Sequence, residues 1–184
     1  MSKPAYLPLY SCGFTLIETI TTLSVACILL AFGIPSFQAT MQNNRMSTAV
    51  FDMMTNLYLA RSEAVNRGIG VVLCPSADGE SCADTTLWDD GFIMYADINK
   101  NRELDPEEQV LRHINLDYDS IRISTTSGRK KTVYNPSGYA FGYNLTFTFC
   151  DIDSQIDPKA IIVSNIGRSR VSHTKYDGSQ LDCD

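Results

Sequence analysis

The chain has 184 residues, a mass of 20.4 kDa, a formal net charge of −6 and a sequence pI near 4.8. With 44% hydrophobic and 20% charged residues it is too apolar for a disordered chain. Its acidic balance excludes a protein that coats nucleic acid through bulk attraction, so any polyanion binding has to come from a local patch. The two histidines, His113 and His173, and six cysteines without a C-x-x-C pair argue against a histidine-rich metal centre, a zinc knuckle or a thioredoxin-type motif.

Residues 14–34 read FTLIETITTLSVACILLAFGI and carry one charge, Glu18. As a helix they span about 31 Å, one bilayer core. A secretory signal peptide would need a basic start, a shorter apolar run and a small-residue cleavage site behind it. Here only Lys3 is basic ahead of a long run, and the polar-to-apolar junction falls before it, at Gly13-Phe14. A carboxylate near the start of a membrane helix is costly, which marks Glu18 as functional.

Gly13-Phe14-Thr15-Leu16-Ile17-Glu18 resembles the processing motif of type IV pilins and type II secretion pseudopilins. The resemblance implies that a prepilin peptidase removes residues 1–13 by cutting after Gly13 and methylates the new N-terminus, Phe14. It implies that Glu18 serves assembly, neutralised by the amino group of a neighbouring subunit's Phe14 or by protonation. Pro35 also matches a proline common in these helices. The leader departs from the pattern in being weakly basic, which weakens the orientation argument.

Past Pro35 the helical pattern continues. Val50, Met53, Met54, Leu57, Ala60, Ala64 and Val65 recur at helical spacing, with Asp52, Asn56, Arg61, Glu63 and Asn66 between them. The spacing predicts one long helix over residues 14–67, kinked around Gly33 and Pro35 and stopped at Gly68. Residues 14–34 form its membrane or filament-core half, and residues 35–67 an amphipathic half that continues into a head.

From residue 68 the pattern turns to β. Short runs rich in Val, Ile, Tyr, Phe and Thr, separated by Gly, Pro, Asp and Asn, predict strands at 69–74, 91–96, 109–114, 120–125, 132–135, 145–149, 160–165 and 168–173. No alternation of strands and helices supports a parallel sheet. The expected fold is α+β, one long N-terminal helix packed on a head of antiparallel sheets over residues 68–184.

The head resembles the FimT/GspH family of minor pilins and pseudopilins. The matching stretches are Leu73-Cys74-Pro75-Ser76 with Asp78-Gly79 and Cys82, then WDDGFIMYADINKNRELDPEEQVLR from Trp88 to Arg112. The family implies a type IV pilin-like fold with the head in the periplasm and an inner-membrane anchor before assembly. It implies other major and minor pilins as partners and placement in a surface pilus afterwards.

Cleavage after Gly13 would remove Cys12, and Cys27 lies within the apolar helix. The other four cysteines sit in the head and allow three connectivities. Cys74–Cys82, closing a small loop, and Cys150–Cys183, tying the C-terminal tail to a strand, are favoured in an oxidising compartment.

Charge is segregated along the chain. Residues 76–108 hold ten acids against Lys100 and Arg102, whereas residues 159–175 hold Lys159, Arg168, Arg170 and Lys175 and no acid. In Gly167-Arg168-Ser169-Arg170 the arginines stand two apart, which on a strand puts both on one face at about the spacing of successive phosphates. Ser169 and backbone N–H groups near Gly167 are candidates for further phosphate contacts. The motif resembles the glycine-arginine-x-arginine motif of the FimT group, which binds double-stranded DNA without sequence preference during natural transformation. Arg168 and Arg170 map onto its arginines. Lys175 joins them by charge and position alone, and Arg129, Lys130 and Lys131 form a second basic run that extends the footprint if it lies nearby. On this reading a flexible, disulfide-closed basic tail captures DNA. The alternatives are a GspH-like minor pseudopilin of type II secretion and a minor pilin acting only in pilus assembly.

Asp97-x-Asn99-x-Asn101, followed by Glu103, Asp105 and Glu108, has the ligand spacing of a calcium loop. Arg102 stands where such a loop needs glycine, so the stretch reads as a polar hairpin turn with no metal. There is no G-x-S-x-G elbow and no serine or cysteine with an evident base partner. No cofactor and no enzymatic activity are expected.

Overall fold

The computed structural model describes residues 13–183 apart from Asp117 and Asp119, so the expected leader falls outside the described residues except for Gly13. Helix α1 (Leu16–Arg67) is followed by strands β1 (Gly70–Pro75), β2 (Phe92–Asp97), β3 (Val110–Ile114), β4 (Ile121–Thr125), β5 (Thr132–Tyr134), β6 (Leu145–Asp151), β7 (Lys159–Val163) and β8 (Ser169–Ser172). Contacts divide the chain into one unit up to Thr40 and a second from Met41.

In the first unit the Thr15 hydroxyl accepts the Glu18 N–H at 3.3 Å and caps the helix. Thr19, Thr21, Thr22 and Ser24 donate their hydroxyls to carbonyls three or four residues back, at 2.8 to 2.9 Å. Polar side chains in this segment thus satisfy themselves on their own helix, which an apolar surrounding demands. Leu23, Val25, Ile28, Leu29 and Phe32 are all exposed. The helix is long and apolar enough to cross a membrane.

In the second unit the helix buries Met46, Ala49, Val50, Met53, Leu57, Ala60 and Ala64, one stripe at i, i+3, i+4 spacing. The stripe shares a core with the inner faces of two sheets, contributed by Leu73, Phe92 and Met94 of one and Ile123, Phe147 and Ile161 of the other. The first sheet runs β3-β2-β1-β5 and the second β4-β6-β7-β8, with every neighbouring pair antiparallel. Trp88 sits between them, its ring edge-on to Phe147 at 4.9 Å and tilted against Phe92 at 5.7 Å. Its backbone N–H donates to the Ile123 carbonyl at 2.9 Å, which fastens the β1–β2 connection to the margin of the second sheet.

Each of the eight strands expected from composition is present, with ends shifted by one or two residues. β1 and β2 are buried at every position rather than at alternate ones. A second cluster explains this: Val72, Cys74, Ile93 and Tyr95 on the far face of the first sheet are covered by Cys82, Leu104 and Tyr143 from connecting segments. β7 stops at Val163 and β8 starts at Ser169, because the residues between them close a tight turn. Disulfides join Cys74 to Cys82 and Cys150 to Cys183.

Candidate functional site

The turn between β7 and β8 determines where the paired arginines point. The Gly167 N–H donates to the Ser164 carbonyl at 2.8 Å and the Arg168 N–H to the Ser164 hydroxyl at 3.2 Å, while that hydroxyl donates to the Arg168 carbonyl at 3.0 Å. Gly167 adopts φ +74°, open to glycine and strained for any other residue. A Cβ there would run into the Gly138 carbonyl. From helix α1, Arg61 donates to the Ile166 carbonyl at 3.3 Å and holds the turn from beneath.

β8 is an edge strand in register with β7, with Val163 opposite Ser169 and Ile162 opposite Arg170. Val163 belongs to the core, so Ser169 shares its inward side. Ser169 is 3% exposed, its hydroxyl 3.4 Å from the Tyr134 hydroxyl and its carbonyl accepting from Tyr58 at 3.3 Å. The phosphate contacts expected from Ser169 and from the N–H groups around Gly167 are therefore corrected. Ser169 is an inward anchor, and the N–H groups of Gly167 and Arg168 are consumed within the turn. Alternation turns Arg168 and Arg170 outward, and both are exposed. Among the described residues neither guanidinium has an ion-pair or hydrogen-bond partner.

The other cations of the two basic runs are engaged. Lys159 donates to the Ser47 hydroxyl on α1 at 3.0 Å. In the second basic run Arg129 donates to the Gly142 carbonyl, Lys130 pairs with Asp84 at 2.6 Å, and Lys131 pairs with Glu103 at 2.9 Å. The Lys130 ammonium holds the Asp84 carboxyl below its ordinary range. Lys130 and Lys131 thus form a neutralised seam with the acidic loops, whereas Arg129 keeps its charge and lines a cavity with Ile162 and Tyr176.

Residues 173–183 are hydrogen-bonded rather than an open tail. Thr174 bridges Gln180, the Lys175 N–H donates to the Ser179 carbonyl at 2.8 Å, and the Gly178 N–H donates to the Lys175 carbonyl at 3.0 Å. Cys183 then bonds Cys150, which lies on the face of β6 opposite the core residues Phe147 and Phe149. The segment crosses the outer face of the second sheet as a strap, beside cavities of about 460 and 620 Å³. Lys175 is half-buried in this strap. Asp177, held below the ordinary carboxyl range by Ser179 and then by Lys175, gives that lysine a counter-charge. Lys175 is thus less accessible than Arg168 or Arg170 and has an acid beside it.

Comparison with known proteins fits this architecture. The family profile described as "Type II transport protein GspH" matches residues 49–167, more than half of the chain. The chain belongs to the GspH family. Two crystal forms of the type IV minor pilin FimU of Pseudomonas aeruginosa share its fold at 16% identity. The P21 form has a TM-score of 0.54 and covers 72% of this chain and 92% of FimU. The P65 form has a TM-score of 0.51, covering 68% and 91%. No curated protein sequence matches the chain. This GspH-family chain carries an N-terminal helix long and apolar enough to cross a membrane. The family match ends at Gly167, so Arg168, Arg170 and Lys175 lie beyond it.

The loop after β2 in this GspH-family head uses its polar groups internally. Asp105 accepts from the Asn99 and Asn101 amides at 2.7 Å each, and Glu108 accepts the Ile98 N–H at 2.8 Å. Arg102 itself takes the left-handed φ of +64° that the spacing assigns to glycine, its guanidinium 5.0 Å above the Tyr143 ring. Among the described residues no group of three or more His, Cys, Asp or Glu side chains is placed to hold a metal.

Proposed function

We propose that this protein is a minor type IV pilin whose Arg168 and Arg170 bind the DNA backbone without sequence preference, for uptake in natural transformation. One observation carries the reading. Two exposed guanidiniums without partners among the described residues share the outward side of an edge strand, in an acid-free stretch of an otherwise acidic chain. Charges left unpaired at two-residue spacing suit a regular polyanion, and contacts of this kind position a backbone without reading bases. The Gly167 turn and the Ser169 anchor support it by holding both side chains on one side.

In the same reading a prepilin peptidase cuts after Gly13 and methylates Phe14. The helix waits in the inner membrane, and Glu18 helps dock the subunit among other pilins of a surface filament. A second reading, a GspH-like pseudopilin of type II secretion, is favoured by the family profile itself. It has no use for the unpaired arginines.

The test is a gel shift of duplex DNA with the full chain in detergent. Replacing Arg168 and Arg170 with Gln is expected to lower affinity at least tenfold with an unchanged circular dichroism spectrum. Wild-type affinity should fall with salt at a log–log slope of about 0.9 per phosphate engaged. Undiminished binding by the double variant sinks the DNA reading and leaves the secretion or assembly role.

A further inference from the structure

We infer that the strap adds a stacking platform, so that the same site prefers unpaired nucleotides over duplex, with the Tyr176 ring on a base and Arg168 and Arg170 on the flanking phosphates. The inference rests on the DNA-binding reading above and names the form of DNA.

Tyr176 is 81% exposed, although a phenol ring usually buries its apolar faces. It stands at the tip of a turn held by the Gly178 N–H to Lys175 carbonyl bond, by the Asp177 carboxylate accepting the Ser179 hydroxyl at 2.6 Å, and by the Cys150–Cys183 bridge below. An aromatic held out this way loses little freedom when a ligand covers it. The other exposed aromatics near the Gly167 turn, Tyr139 and Phe141, stack on each other with centroids 5.2 Å apart. Tyr176 has no ring contact among the described residues.

Tyr176 lines both cavities beside the strap. The smaller is walled by Asn144, Ser164, Asn165 and the cation Arg129, the larger by Thr148, Lys175 and the carboxylates Asp177 and Asp182. Amides and hydroxyls accept any base edge without demanding one. Ile162 lines the smaller cavity with Tyr176 and is the in-register neighbour of Arg170, so ring and guanidinium share one side of the sheet. A duplex keeps its bases stacked on each other and presents phosphates and base edges but no open base face. A single strand offers phosphates and open base faces, and base–aromatic stacking adds affinity regardless of sequence.

Fluorescence anisotropy of the full chain in detergent, with one short mixed-sequence oligonucleotide as single strand and as duplex, tests this. The single strand is expected to bind at least about fivefold tighter. Tyr176→Ala should remove that preference and leave duplex affinity unchanged, while Tyr176→Phe keeps it. Equal affinity for the two forms overturns the inference, as does a Tyr176→Ala loss shared by both. If duplex binding persists and depends on Arg168 and Arg170 while the strand preference is missing, only this inference fails. If neither form binds, both readings fail.

Discussion

At Gly167 two independent constraints coincide, a left-handed backbone and a carbonyl where a Cβ would sit. Gly142 has the first constraint without the second, since its φ is +75° and open space surrounds its Cα. Thermal unfolding should separate them. Gly142→Ala is expected to cost about 1 kcal/mol, and Gly167→Ala about 2–3 kcal/mol, because the turn and the Gly138 loop must move apart. Equal losses would mean that the Gly138 contact carries no weight. The arginines and the glycine were legible as a motif in the sequence. The role of Ser169 was not, because its burial depends on Tyr134 and Tyr58, 35 and 111 residues away. The exposed position of Tyr176 is signalled in the sequence by the Asp177-Gly178 turn pair that follows it.

Among the elements, the strap and β8 play separable parts. β8 is held by its register with β7, whereas residues 173–183 are held by one β-bridge, a few turn bonds and the Cys150–Cys183 bridge. That bridge spans 33 residues, and a loop of such size contributes about 2–4 kcal/mol by restricting the unfolded chain. Replacing both cysteines with Ser should lower stability by that amount and speed proteolysis within residues 173–183, with the strands left protected. Protease mapping with mass spectrometry checks this, and uniform cleavage across β6 to β8 would show that the strap also holds the strands. Strand existence was readable from β-branched runs between Gly, Pro and Asp. Strand ends were less so, because Ser164 closing on Arg168 is a side-chain bond that no propensity encodes. The full burial of β1 and β2 was likewise hidden, since it comes from covering segments whose placement depends on the whole fold.

Across the molecule, charge is arranged so that acidic loops meet Lys130 and Lys131 and leave β8 clear. Asp89 belongs to this scheme as a link between the sheets, accepting the Ile123 N–H of β4 from the end of the β1–β2 connection. Burial raises its carboxyl above the ordinary range, outweighing the pull of that N–H and of Arg122. The folded state therefore holds the proton more tightly than the unfolded chain. The stability this contributes is present in acid and is lost as pH rises through the folded value. Asp89→Asn should gain on wild type by up to about 1 kcal/mol between pH 4 and pH 7, after allowance for its partial exposure. Melting curves at the two pH values read this directly, and a gain confined to acid would reverse the sign. Parity on an edge ladder has its own consequence for inheritance. Losing the Ser169 codon would bring the arginines side by side and turn one guanidinium inward, towards Tyr58 and Tyr134. Lineages that keep this face must keep the two-residue spacing of the arginines, which an indel of odd length between them breaks.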